Sequence, residues 1–299
     1  MAVGASPARD SGAAPPPPAT AESAPAPHVL ARELPGLHNV YQVAEGILSG
    51  SEPEGDEGLA SLARLGIKTV VSVDGAIPRL DAAHQHGLRY VHLPIGYDGI
   101  SEQAGRALAR VAREAPGPIY IHCHHGKHRG SAAAAVTCVA AGKMSSRDAL
   151  KILEMAGTGT EYAGLWRDVE KYSAPATDAV LPELVESAEV DLLTAAMAQV
   201  DRRFDELKLC RDAGWRTPPG QPDVAPAQSA LLVREGLHEA LRTTPGDRYD
   251  DAFREMMSAA EALAAQVETA LRESNPKAAS AGMKALETSC KQCHVKFRN

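Results

Sequence analysis

Two short stretches of this 299-residue chain place reactive side chains at spacings that favour chemistry. The first runs from Cys123 to Arg129, and the second is a Cys-x-x-Cys-His stretch from Cys290 to His294. A cysteine thiolate is a strong nucleophile, and two cysteines followed at once by a histidine are the attachment pattern of c-type haem. The sequence therefore predicts a nucleophile site and a haem site, each positioned by the elements around it.

Cys123 follows the apolar run Ile119 to His122, which predicts a buried strand, and a helix is predicted over 131–141. The amides of such a loop and the positive end of the helix favour an anion at one point. The same field lowers a thiol pKa from about 8.5 into the range of about 3.5–7.5. We expect Arg129 to grip two oxygens of the anion and Gly126 to permit the tight turn. The other candidates for contact with the anion are His124, His125, Lys127, His128, Gly130 and Ser131.

At these residues the sequence resembles the cysteine-dependent protein phosphatases of the dual-specificity type, which carry His-Cys-x5-Arg between a strand and a helix. The resemblance extends upstream through VYQVAEGILSGSEP, LARLGIKTVVSV and GLRYVHLPI, and it covers about residues 38–172. It implies a two-step reaction in which Cys123 forms a phosphocysteine that water then hydrolyses. The expected ligands are a phosphorylated protein or a small phosphomonoester; the basic His124 and Lys127 favour highly charged ones such as phosphoinositides. No metal is expected in this domain.

The resemblance also implies a carboxylic acid that protonates the leaving alcohol and lies on a loop after the strand RYVHLP. Asp98 occupies that place, and such a group contributes about 10²–10⁴ in rate. Asp98 is alternatively a plain turn residue before Gly99, and Asp74 is a weaker candidate for the acid.

The loop departs from the family pattern in two ways. Gly130 stands where family members have a Ser or Thr hydroxyl that assists departure of the cysteine thiolate. Breakdown of the phosphocysteine is then slow, or Ser131 substitutes. Three loop histidines are also unusual, and they add positive charge, bind a metal or face solvent. Cys123 as a buried structural cysteine remains an alternative.

On a helix, Cys290 and Cys293 share one face and can both form thioethers to haem, and His294 can then ligate the iron. Zinc binding and unmodified thiols are the alternatives. The stretch SCKQCHVKFRN resembles the C-terminus of class II cytochromes c, of the c′ and c556 type, and the resemblance covers about residues 180–299. It implies a sixth ligand or a core side chain at Met197. Arg298 is either a partner of a haem propionate or a helix-end cation.

The chain divides into three predicted parts. Residues 1–33 are rich in Pro and Ala and predict a disordered tether. Residues 34–174 alternate strand-like and helix-like segments, which predicts an α/β domain. Residues 178–299 are helical throughout, with apolar steps of three and four that predict a four-helix bundle.

Composition narrows the function classes. A formal net charge of −7 argues against nucleic-acid binding, and no apolar run is long enough to span a bilayer. No signal peptide is visible, yet haem attachment takes place outside the cytoplasm, so we expect a periplasmic or cell-envelope protein. A redox partner and a homodimer through the bundle are further expectations.

The sequence thus favours a cysteine phosphatase fused to a c-type haem domain for redox or gas sensing or for electron transfer. A second interpretation is a haem protein whose phosphatase-like domain only binds phosphorylated ligands, which the glycine at position 130 favours. A third is a structural metal-binding protein that uses the loop histidines and the C-terminal cysteines.

Overall fold

The computed structural model describes Met1 and residues 27–29, 34–244 and 249–297. Most of the predicted tether, residues 2–26 and 30–33, therefore lies outside the described residues. The prediction of a tether is wrong at His28–Val29, which form strand β1 because they pair with Gln42 and Tyr41.

A six-stranded mixed sheet organises the first half of the chain. Its order is β1-β2-β3-β6-β4-β5. Strands β3, β6, β4 and β5 run parallel, whereas β2 pairs antiparallel with β3 and β1 pairs antiparallel with β2. The central strand β6 and its neighbours are buried, as strands covered on both faces must be. The strands after β1 are β2 (Tyr41–Ala44), β3 (Ile47–Gly50), β4 (Thr69–Ser72), β5 (Arg89–His92) and β6 (Ile119–His122).

Helices cover the two faces of this sheet. One face packs against α1 and α2, whose apolar residues join a core with Tyr90 and Tyr120. The other face packs against α3 to α6, around the alanine-rich α4. We did not predict α2, α5 or α6 from the sequence. The helices are α1 (Gly55–Arg64), α2 (Leu80–Gln85), α3 (Glu102–Glu114), α4 (Arg129–Ala140), α5 (Ser146–Ala156) and α6 (Ala163–Lys171).

The second half is helical, as the apolar steps predict. In the described part of the chain it contains α7 (Leu192–Asp212), α8 (Pro226–Thr243), α9 (Asp251–Arg272) and α10 (Pro276–Phe297). The side chain of Asn275 accepts from the N–H of Ala278 and so caps the start of α10. The helices share an apolar core that includes Leu193, Leu237, Phe253 and Leu286. No helix in these described residues is long and apolar enough to cross a membrane.

The stretch from 172 to 191, which contains no helix or strand, lies along the first half and leads into α7. Three arginines of α3, Arg106, Arg110 and Arg113, donate to its carbonyls. The N–H of His92 donates to Val185 O at 2.9 Å, which ties the segment to the end of β5. These bonds bring α7 to the edge of the sheet where β4 and β6 end.

The packing on α5 predicts a stability effect. Ile152 is fully buried in the core of the first half, and we expect Ile152→Ala to lower the free energy of unfolding by about 2–5 kcal/mol because it leaves a cavity. Urea unfolding followed by Trp166 fluorescence in a Trp215→Phe background measures this half alone. The control is Ile77→Ala, at a position that is 66% exposed. It should change the free energy of unfolding by less than about 0.5 kcal/mol. Equal effects of the two substitutions would contradict this packing.

Candidate active site

The predicted nucleophile lies at the carboxyl end of the parallel strands, where α/β sheets bind ligands. Strand β6 ends at His122, Cys123 follows with 3% of its surface exposed, and α4 begins at Arg129. The neighbouring strand β4 ends at Ser72 and delivers Asp74 to the same edge. The structure thus brings the predicted loop, its helix and a buried carboxylate together.

Two glycines give the loop its shape. Gly126 has a φ of +71°, and a Cβ there would lie 2.2 Å from the carbonyl carbon of Gly50. A Cβ on Gly130 would lie 2.8 Å from the backbone N of Cys123. The loop therefore lies against β3 on one side and α4 on the other, and both positions exclude a side chain.

The loop carbonyls point away from its centre. His124 O accepts from the N–H of Glu52, His125 O accepts from Asn39 Nδ2 at 2.9 Å, and Lys127 O accepts from Thr158 Oγ1 at 2.6 Å. In a trans peptide the carbonyl and the next N–H point in opposite directions. The amides that follow these carbonyls consequently point into the loop, where they can meet an anion.

Arg129 is the buried cation of this loop. The residue is 7% exposed, and one Nη2–H donates to Asp74 Oδ2 at 2.9 Å. The Tyr97 ring covers the guanidinium with its centroid 4.3 Å from Cζ. Burial opposes the charge, but Tyr97, Asp74 and Cys123 raise the pKa of Arg129. Arg129 Nε is buried with no hydrogen-bond partner among the described residues, so an anion oxygen would satisfy it.

Asp74 holds the arginine and does not resemble a proton donor. Its carboxylate also accepts from the N–H groups of Ala76 and His124 at 3.0 and 2.9 Å. Burial raises the pKa of Asp74, but the charge of Arg129, the hydrogen bond from Ala76 and the charges of His124 and Arg202 outweigh it and lower the value to about 2. The group is ionised near neutrality, and Asp74 is therefore a poor alternative for the general acid.

Asp98 is exposed on the loop that follows β5. The preceding residue, Tyr97, is the one that covers Arg129, so this loop borders the phosphate-binding loop. The backbone carbonyl of Asp98 accepts from Arg167 at 3.3 Å, and Asp168 accepts from the N–H of Ile100 at 2.8 Å. The structure therefore supports the loop backbone from α6 and leaves the Asp98 carboxylate exposed.

The hydroxyl of Ser131 is committed to the loop itself. It donates towards Lys127 O and His128 O at 3.0 and 2.7 Å and lies 3.0 Å from Thr158 Oγ1. Ser131 is fully buried. The structure thus makes it a support of the loop backbone, which corrects the expectation that its side chain contacts the ligand.

The loop histidines have different surroundings. His124 Nδ1 is 3.2 Å from Glu52 Oε2, and its Nε2 is 3.0 Å from Asp205 Oδ2 of α7. Burial disfavours the charged form, but these two bonds raise the pKa of His124 to about 10. His128 Nδ1 accepts from the N–H of Gly159 at 3.3 Å, and its ring contacts Tyr162. Lys127 is exposed.

Helix α7 adds charged residues that sequence analysis missed. Arg202 grips Glu52 with contacts of 2.6 and 2.7 Å to its two oxygens. Hydrogen bonds from His124 and Arg202 outweigh the effect of burial and lower the pKa of Glu52 to about 2. Glu52, Arg202 and Asp205 lie far from the loop in sequence, and no local pattern marks them.

The predicted haem residues lie on α10 and α7. Cys293 is 9% exposed and Cys290 partly buried, and both belong to the apolar core of the helical half. Met197 of α7 packs against the same core. Burial, with Cys293 and Asp201 nearby, raises the pKa of Cys290 to about 11. His294 is partly buried, and Arg298 lies outside the described residues.

Comparisons with known proteins match the first of the two sites. The chain is 29% identical over 181 residues to the dual specificity protein phosphatase TpbA of Pseudomonas aeruginosa strain UCBPP-PA14, covering 59% of this chain and 75% of the relative. TpbA of strain PAO1 is 28% identical over the same length. No family model matches the chain.

Solved structures of low similarity were also found. The crystal structure of P. aeruginosa TpbA is 24% identical, covers 46% of this chain and 86% of its own, and has a TM-score of 0.40. The core catalytic domain of the S. cerevisiae PP-IP phosphatase SIW14 is 22% identical, covers 46% of this chain and 86% of its own, and has a TM-score of 0.40.

About half of the chain is similar to dual-specificity phosphatases, and the two TpbA sequences confirm the prediction of a phosphatase enzyme. The comparisons give no support to the predicted cytochrome domain. That prediction is based only on the sequence pattern at Cys290, Cys293 and His294.

The close approach at Gly130 predicts the outcome of restoring the family hydroxyl. In Gly130→Ser the new Cβ would lie 2.8 Å from Cys123 N, so the nucleophile must move. Because a displacement of about 1 Å can cost about 10²-fold in rate, we expect kcat/KM for an aryl phosphate to fall by up to that factor. Gly130→Ala, which adds the Cβ without the hydroxyl, should fall similarly. A serine variant faster than the wild type would contradict the steric explanation.

Proposed function

We propose that the chain is a cysteine-dependent phosphomonoester phosphatase that works through a phosphocysteine intermediate. The observation that carries the proposal is the buried Arg129, whose Nη2 is held by Asp74 while its Nε lacks a partner among the described residues. A guanidinium fixed in this way beside Cys123 is suited to two oxygens of a phosphoryl group. The likeness to curated dual-specificity phosphatases supports the same conclusion.

In the first step, the Cys123 thiolate attacks phosphorus and forms the S–P bond while the bond to the leaving oxygen breaks. Asp98, in its acid form, donates a proton to that oxygen, and the alcohol departs. The amides after the outward-pointing loop carbonyls and the Arg129 fork hold the equatorial oxygens, where charge accumulates. In the second step, the Asp98 carboxylate takes a proton from water, the water oxygen attacks phosphorus, and thiolate and phosphate are released.

Asp98 is a better candidate for the general acid than Asp74, because the Asp74 carboxylate already accepts hydrogen bonds from other groups. Asp74 receives three hydrogen bonds and stays ionised, since its pKa is lowered to about 2. Asp98 is exposed next to Tyr97, which covers Arg129, so its carboxyl can reach a leaving group above the loop. The substrate class is a phosphorylated protein or a small, highly charged phosphomonoester, which fits the basic loop.

A second candidate function is binding of phosphorylated ligands without turnover. The observation that favours it is the commitment of the Ser131 hydroxyl to Lys127 O, His128 O and Thr158. With Gly130 beside it, the loop offers no hydroxyl from these two positions to assist the departing thiolate. Slow hydrolysis of the phosphocysteine would then convert the enzyme into a trap for its ligand.

Hydrolysis of aryl phosphates tests the reaction and its acid. We expect Cys123→Ser to lose all activity and Asp98→Asn to lose about 10²–10⁴ in kcat. The loss in Asp98→Asn should be larger for phenyl phosphate than for p-nitrophenyl phosphate, because the better leaving group needs less protonation. The matched control is Asp81→Asn on α2, which should retain wild-type rates.

Equal rates for Cys123→Ser and the wild type would exclude the phosphocysteine mechanism. If the wild type hydrolyses nothing but accumulates a covalent phosphocysteine, the binding function replaces the phosphatase. A uniform loss across leaving groups in Asp98→Asn would exclude Asp98 as the acid.

We propose further that the helical half is a cytochrome c′-like four-helix bundle with covalent haem. The residues present fit this group: Cys290 and Cys293 lie three apart in the apolar core, His294 follows, and Met197 packs against that core from α7. Cys290 and Cys293 would hold the ring, His294 would hold the iron, and Met197 would line the site from α7. Haem bound there would supply an iron centre for electron transfer or for binding a diatomic gas.

With this haem we propose a periplasmic or cell-envelope protein, because c-type attachment takes place outside the cytoplasm. Helix α7 supports a link between the two sites. Its Met197 faces the core of α10 while Arg202 and Asp205 bind the phosphatase-like half. We therefore propose that the bundle biases the phosphatase according to redox state or bound gas.

Covalent haem is tested by expression with a c-type maturation system. We expect a Soret band and haem staining that survives denaturing electrophoresis, and both should disappear in the Cys290→Ser/Cys293→Ser variant. Cys138→Ser, which removes a buried thiol of α4, is the control and should keep both. Zinc that is bound through Cys290 and Cys293, with no Soret band, would exclude the assignment. Identical phosphatase rates of oxidised and reduced haem-loaded protein would exclude the bias.

A further inference from the structure

Two consecutive histidines of the loop and one carboxylate of α7 converge between the two halves of the protein. His124 Nε2 is 3.0 Å and His125 Nδ1 is 3.8 Å from the same oxygen, Asp205 Oδ2. The two imidazole rings lie 4.5 Å apart. One ligand atom from each residue lies within 4.8 Å of the other two, so small rotations of the side chains would bring all three onto one ion.

The groups behind these side chains are arranged as they are around metal ligands. A histidine that ligates a metal usually donates its other ring N–H to a carboxylate, which fixes the tautomer and the ring. His124 Nδ1 faces Glu52 Oε2 at 3.2 Å, and Glu52 is itself held by Arg202. The other oxygen of the Asp205 carboxylate, Oδ1, accepts from Lys208 Nζ at 2.6 Å. Both ends of the cluster are therefore pre-oriented.

Three carboxylates surround the cluster, together with the cations Arg202 and Lys208, which pair with two of them. Besides Glu52 and Asp205, Asp201 lies one helical turn earlier on α7 and acts electrostatically on His124 and His125. The His125 side chain is 43% and the Asp205 side chain 31% exposed. Solvent can thus deliver an ion and occupy the coordination positions that the protein leaves open.

We propose that His124, His125 and Asp205 bind a divalent transition-metal ion of the Zn²⁺ class and so join the phosphate-binding loop to α7. Two imidazole nitrogens and one carboxylate oxygen are a donor set that Zn²⁺ accepts and that Mg²⁺ and Ca²⁺ disfavour. The ion would hold α7 at the residue next to Cys123. This binding requires neither phosphatase turnover nor haem, so it can be tested apart from both.

Zinc titration of the full-length protein tests the site, with bound metal measured after equilibrium dialysis and the Tm recorded with and without zinc. We expect Asp205→Asn to bind one equivalent less than the wild type. Substitution of a residue that hydrogen-bonds a metal ligand lowers metal affinity by about 10- to 100-fold, and loss of the ligand itself should lower it at least as much. Thiol sites at Cys123, Cys290 and Cys293 are common to both proteins and cancel in the difference. The matched control on α7 is Asp212→Asn, which should bind as the wild type does.

A second variant separates a metal site from a purely ion-paired contact. His125→Gln removes one ligand but keeps the bonds of His124 to Glu52 and Asp205. We expect it to lose the same equivalent and the zinc-dependent rise in Tm, while its Tm without zinc stays at the wild-type value. Equal zinc equivalents and equal zinc-dependent Tm shifts in the wild type, Asp205→Asn and His125→Gln would overturn the proposal.

Discussion

The buried ion pair between Asp74 and Arg129 is the interaction on which the site depends. It joins the second residue after β4 to the first residue of α4, and the two residues are 3% and 7% exposed. Burying two charges is costly unless geometry and further hydrogen bonds compensate. Asp74 obtains these from the N–H groups of Ala76 and His124. Because His124 follows the nucleophile directly, one carboxylate positions both the arginine and the loop backbone.

The same loop is supported from three other directions. Glycines at 126 and 130 let it approach β3 and α4 without a side chain between them. Thr158 and Ser131 bind its carbonyls from behind. A loop held in this way by its carbonyls presents its amides to a ligand without reorganisation, which is the main source of stabilisation for a phosphoryl group. At position 130 the close backbone approach leaves no room for a side chain.

The relation between the two halves also depends on this loop. Helix α7 is brought to it by a segment that α3 arginines hold along the sheet domain. There Arg202 binds Glu52, and Asp205 binds His124. Asp201 of the same helix acts electrostatically on His124 and on Cys290. Both predicted chemical sites thus contact α7, which gives the proposed bias of one site by the other a physical route.

Sequence reasoning succeeded where the signal was local. The strand Ile119–His122, the helix that follows the loop, and the grouping of Cys123 with Arg129 all follow from short spacings and apolar runs. It failed for α5 and α6, whose amphipathic patterns we did not recognise, and for His28–Val29, whose strand exists only through pairing with β2. It also left Asp74 as a weaker candidate for the acid, because its partner Arg129 lies 55 positions away in the sequence.

The sequence by itself determined the loop with its nucleophile and arginine, the order of sheet and helical halves, and the Cys-x-x-Cys-His stretch, because each is a pattern within a few residues. Only the tertiary structure decided that Asp74 holds Arg129, 55 positions away, and that α7 lies on the loop through pairs separated by 81 and 150 positions. The physical reason is that charges find partners by distance in space. The chain path that brings them together is set by packing of the sheet and its helices, which no local pattern records.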